Sequence, residues 1–165
     1  MSWVQAPPVP PSKAPTCTGG VFAFRGDWYD EDMKTVYLAG KQNAGEAGIA
    51  SFAEELEENG HDVLEKWWEK GVLPKPYLDN PETSRPAAKA MIDAAYNSDV
   101  FVLFSGESVM GAMAEFGAAL GSTAENPDKF IYLLYPEQDR QSIFYVHPAV
   151  IAIESLDRIR RSDWF

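Results

Sequence analysis

The chain has 165 residues, 45% of them hydrophobic, and 25 acidic against 14 basic side chains, a formal net charge of −11. A chain of this size buries a core without disulfides, its apolar content excludes wholesale disorder, and its acidic surplus repels duplex DNA, RNA and anionic membranes. One cysteine (Cys17) and two histidines (His61 and His147) exclude an intrachain disulfide and the four-cysteine and two-cysteine, two-histidine zinc sites. No apolar run approaches the roughly 20 residues of a membrane span, and no apolar h-region of a secretory signal opens the chain. A cytoplasmic α/β domain acting on a small molecule is therefore expected.

Residues 1–16 hold Pro7, Pro8, Pro10, Pro11 and Pro15, which forbid a helix or a central strand. We read residues 1–33 as a proline-rich leader, in which Val21–Phe24 can add an edge strand and Asp27–Asp32 is an acidic loop. Residues 34–165 form the expected domain. Thr35–Ala39 reads as a buried strand ended by Gly40. Ile49, Phe52, Ala53 and Leu56 have helical spacing over Glu46–Asn59, and Asn59-Gly60 is a helix stop. His61–Leu64 is a short second strand. Trp67–Asn80, broken by Gly71, Pro74 and Pro76, reads as a long loop of the kind used for lids and binding. Trp67 and Trp68 either stack on a planar base or cap the edge of the core.

Pro86 suits a first helical turn, with Ala88, Met91, Ile92 and Ala95 forming one apolar stripe behind it. Val100–Phe104 is apolar on both faces, as a central parallel strand is. Ser105–Gly111 is a small-residue loop, followed by a helix over Ala112–Leu120. Lys129–Tyr135 and Val150–Ile153 are further strands, and Ser155–Asp157 opens a closing helix. This alternation predicts a five-stranded parallel sheet with helices on both faces and right-handed crossovers. Ligands then bind at the carboxyl ends of the strands, beside a switch in strand order. Two places qualify: Gly40-Lys41-Gln42 after the first strand, and Ser105-Gly106 through Ser108 to Gly111 after the central one. Neither is a GxGxxG or P-loop motif. Glu115 stands among Ala114, Phe116, Gly117, Ala118 and Ala119, and a carboxylate in so apolar a helix is costly unless paired or used.

Three segments together carry a resemblance: Tyr37-Leu38-Ala39-Gly40, Asp99-Val100-Phe101-Val102-Leu103, and Gly111-Ala112-Met113-Ala114-Glu115-Phe116-Gly117-Ala118-Ala119-Leu120-Gly121. Over about Lys34 to Ile159 the chain resembles the nucleoside 2-deoxyribosyltransferase superfamily, which includes 2′-deoxynucleoside 5′-phosphate N-hydrolases. The resemblance implies a flavodoxin-like (Rossmann-like) fold and retaining chemistry at C1′, with no cofactor. Glu115 matches the nucleophile that forms a covalent glycosyl ester. Tyr37 matches the tyrosine that orients it, with core packing as its alternative role. Asp93 is the counterpart of the general acid, although it lies six residues before Asp99, where about eight is the family spacing. The alternative for Asp93 is a solvent-facing helix residue.

Ser108 stands in for the family's sugar- or phosphate-binding residue, one residue before the matching position, which holds Val109. Lys41 replaces a family proline and either contacts a 5′-phosphate or is a surface lysine. Ser142 is a match to a serine that reaches a neighbouring subunit's site, and a homodimer or larger homo-oligomer is implied. The expected partner is a small nucleoside or nucleotide, with no nucleic-acid polymer and no membrane. A non-catalytic nucleotide sensor on the same fold is the rival reading. A flavin enzyme is the third, and the loop after the first strand lacks a Ser/Thr-rich phosphate cradle for it.

Overall fold

The computed structural model describes residues 33–41, 46–106, 110–135 and 142–165. The expected strand at Val21–Phe24 and the acidic loop at Asp27–Asp32 lie outside them, as do Gln42 and Ser108. Five strands form one parallel sheet in the order β2-β1-β3-β4-β5. They are β1 (Thr35–Ala39), β2 (Asp62–Val63), β3 (Val100–Phe104), β4 (Phe130–Leu134) and β5 (Val150–Ile153). The helices are α1 (Glu46–Glu58), α2 (Pro81–Asn97), α3 (Met110–Ser122) and the short α4 (Asp157–Arg160). The flavodoxin-like α/β architecture expected from the sequence is the one observed.

The hydrophobic patterning explains the layers. Val100, Phe101, Val102 and Leu103 of β3 are wholly buried, because helices cover the sheet above and below. On one face α2 packs against α3. On the other, Arg160 of α4 grips Glu55 of α1 through both carboxylate oxygens, at 2.6 and 2.7 Å. Ile49, Phe52, Ala53 and Leu56 turn the apolar stripe of α1 inward. The starts of β1 and β3 are tied by Asp99, whose carboxylate accepts from the Thr35 N–H at 2.9 Å and the Thr35 hydroxyl at 2.7 Å.

Several boundaries differ from the sequence reading. The helix expected from Pro86 begins at Pro81, where a proline costs no helical hydrogen bond. Pro86 lies inside α2 on its exposed side, where water can serve the carbonyl it frees. The Trp67–Asn80 segment contains two 3₁₀ turns, Trp67–Glu69 and Tyr77–Asp79. A third, Ile143–Val146, was not expected. The fourth strand starts after Lys129, not at it. The Lys129 ammonium is drawn instead to the carbonyls of Ala95, Tyr96 and Ser98, at 2.8, 3.0 and 2.7 Å, and closes the carboxyl end of α2. Among the described residues no helix is long and apolar enough to cross a membrane.

Candidate active site between the first and third strands

From β1 the chain crosses to β2 on one side, and from β3 it crosses to β4 on the other. The two crossovers leave a crevice at the carboxyl ends of β1 and β3. A cavity of about 630 Å³ opens there. Its walls come from the end of β1 (Gly40, Lys41), the segment after β2 (Trp67, Lys70, Lys75), α2 (Met91, Ile92) and the start of α3 (Gly111, Glu115). At Gly40 an added Cβ would lie 2.5 Å from the Ile49 terminal methyl and 3.4 Å from Phe104 Cβ, so glycine lets the Ile49 side chain pack against the end of β1. Gly111 meets no such neighbour.

Glu115 stands on the inward face of α3 with only 8% of its surface exposed. Burial pushes its carboxyl from an ordinary 4.5 up to about 7, and the neighbouring Tyr37 hydroxyl works in the opposite direction, favouring the carboxylate. Tyr37 is fully buried on β1, its ring 5.9 Å from that of Phe101. Burial first, then the Glu115 carboxylate, and more weakly Glu65, push the Tyr37 phenol above its ordinary range, so it remains a donor. Its oxygen has no partner at full hydrogen-bond geometry. Tyr37 and Glu115 thus form a loose pair, which a bound substrate can tighten.

Trp67 caps the core edge at the end of β1, with 7% of its surface exposed. Its indole N–H donates to the Leu38 carbonyl at 2.9 Å, fixing the ring to the end of β1, and the ring forms part of the cavity wall. Trp68 meets it edge-on at 5.5 Å. Lys41 is exposed at the mouth. Ser105 and Gly106 end β3 beside the cavity without lining it. The Ser105 hydroxyl is buried and unpartnered, while its N–H donates to Leu134 at 2.9 Å.

Two candidates are placed elsewhere. Asp93 is on the outer face of α2, paired with Lys89 one turn before it, and is not in the cavity wall. Ser142 caps the third 3₁₀ turn, accepting from the Phe144 N–H at 3.3 Å. Sequence reasoning missed Lys70, Lys75, Leu73 and Ser84. The first three sit in an irregular segment with no periodicity to read, and Ser84 gives no signal apart from the helix start at Pro81. Helical spacing groups the apolar stripe of α2 as one surface. In the structure Ala95 joins the core, while Ala88, Met91 and Ile92 line the cavity. Among the described residues no three His, Cys, Asp or Glu side chains come together as a metal site.

No protein-family model matches the sequence, and no curated protein matches it. The fold is similar to that of the Clostridium botulinum CMP N-glycosidase BcmB, with a TM-score of 0.51 at 22% identity, over 77% of this chain and 98% of that one. The parallel α/β sheet with its flanking helices is therefore a fold that this N-glycosidase shares.

Proposed function

We propose that the protein cleaves the N-glycosidic bond of a nucleoside or its 5′-monophosphate. The observation that carries this reading is Glu115: a buried carboxyl beside a protonated tyrosine, opening into a cavity between the ends of β1 and β3. The fold shared with a CMP N-glycosidase supports it. The Glu115 carboxylate attacks C1′ as the bond to the base breaks, through an oxocarbenium-like transition state. The resulting glycosyl ester is resolved by water or by a second base. Tyr37 holds the attacking oxygen in line. Trp67 offers a ring face to the base, and Lys41 offers a cation to a 5′-phosphate at the mouth.

One observation favours a second reading, a nucleotide-binding module without turnover. Among the described residues, Glu115 is the only carboxyl in the cavity wall, and Asp93, the expected proton donor, faces solvent. A panel of nucleosides and 5′-monophosphates, each with and without a second free base, separates the readings by chromatography. Free base with sugar or sugar phosphate establishes a glycosidase, and an exchanged base establishes a transferase. Saturable binding without any turnover establishes the binding module and overturns the enzyme.

A further inference from the structure

We infer that Lys70, held in place by Glu65, stabilises the nucleobase as it leaves, and that the site takes bases carrying a carbonyl oxygen conjugated with the glycosidic nitrogen: 2-oxopyrimidines or 6-oxopurines. This inference rests on the N-glycosidic reading above. C1′ must lie at Glu115 for attack, and the base is bonded directly to C1′. Much of the cavity wall is apolar, Trp67, Leu73, Met91 and Ile92 included. Such walls suit the flat faces of a base and not a sugar phosphate. Lys70 lines the same cavity as Glu115 and these apolar side chains, and in the proposed reaction the base sits on its side.

The Lys70 ammonium is built into place. Both carboxylate oxygens of Glu65 accept from Nζ at 2.7 Å, and the Glu65 side chain is only 12% exposed. Glu65 follows β2 in a left-handed backbone conformation, φ +47°, which a residue with a Cβ rarely adopts. Such a conformation persists where its surroundings hold it. Here the Trp67 N–H donates to the Glu65 carbonyl at 2.7 Å, and Lys70 holds the side chain. An ammonium has three donors. Glu65 takes two, and among the described residues the third has no acceptor. Ser84 adds a buried, unpartnered hydroxyl to the same cavity.

In the step itself a Glu115 oxygen forms a bond to C1′ while the C1′–N bond breaks. The bonding pair passes to the base and spreads onto its conjugated carbonyl oxygen, where the third Lys70 N–H donates a hydrogen bond. The departed base takes its proton from water, and a second water opens the ester. This supplies the leaving-group assistance that Asp93 does not provide from the outer face of α2. Lys70 is the group that meets the substrate, and Glu65 is a positioning residue acting through it.

The test is the single-turnover rate on an oxo-base nucleoside, and on its halogenated analogue whose base is a better leaving group, for wild type, Lys70→Met, Lys70→Arg and Glu65→Gln. Because the Lys70 side chain is 58% exposed, Lys70→Met is expected to lose about 10- to 100-fold on the parent, less than a fully buried donor costs. The loss should shrink on the halogenated analogue, whose anion needs less help. Lys70→Arg should restore most of the rate, and Glu65→Gln should show a smaller deficit of the same leaving-group dependence. An equal loss on both substrates, or none on either, overturns the inference. Cleavage confined to adenine nucleosides overturns the assigned substrate class. Failure of the wild type on every nucleoside and nucleotide instead defeats the N-glycosidic reading itself, and this inference with it.

Discussion

Glu115 carries opposing demands. The nucleophile of the proposed reaction must be ionised, yet burial pushes the Glu115 carboxyl up to about 7. The rate should therefore climb through about pH 7 as the carboxylate forms, which a pH–kcat/KM profile reads directly. Tyr37→Phe removes the hydroxyl that favours the carboxylate, so this limb should move to higher pH and the rate at pH 7 fall about 10-fold. Glu115→Gln should cost at least about 1,000-fold in kcat. It should also stabilise the fold in alkali. The unfolded chain ionises at its ordinary 4.5, before the folded one does at about 7. Stability supported by the neutral carboxyl is complete below pH 4.5 and is lost as pH rises through 7. Glu115→Gln should therefore gain up to about 3 kcal/mol over wild type at pH 8 and nothing at pH 4, read by urea titration. Equal effects at both pH values would show that Glu115 ionises normally.

At the scale of elements, the joint between α2 and β3 rests on Lys129. Its ammonium serves three carbonyls at the end of α2 while only 6% of the residue is exposed. Lys129→Met keeps the stem's packing and strands those acceptors, so urea titration should show a loss of about 2–3 kcal/mol. A loss below about 0.5 kcal/mol would mean that water replaces the ammonium freely. The same element shows where sequence patterning is ambiguous. Ala88, Met91, Ile92 and Ala95 share helical spacing, and that spacing says which residues share a face without saying what the face meets. Ala95 joins the buried core, whereas Met91 and Ile92 meet a cavity that the segment after β2 also lines. The start of α2 was misplaced for a related reason. Pro81 and Pro86 both look like first-turn prolines, and local chemistry does not rank them.

For the whole molecule, the charge of −11 is spread over a fold whose described ion pairs have at least one partly exposed partner. Such pairs contribute little, and self-repulsion of the acidic surplus is the larger effect. Tm should rise between about 0.02 and 0.5 M NaCl at pH 8, as screening relieves that repulsion. A falling Tm would show that the ion pairs dominate. Much of this architecture was legible in the sequence. β1, β3, β4 and β5 are short apolar runs bounded by Gly, Ser, Asp or polar residues, and their alternation with amphipathic helices permits few topologies. The carboxyl-end site and the unusual placing of Glu115 follow from the same alternation. What the sequence by itself determined, then, was the layer order and the residues at its switch point, because both depend on local periodicity and chain direction. Only the tertiary structure decided that Tyr37 neighbours Glu115, that Asp93 faces away, and that Lys70, paired with Glu65, lines the cavity. Those placements depend on the rotation of each helix about its axis and on the path of an irregular segment, and both are set by packing between elements distant in the chain.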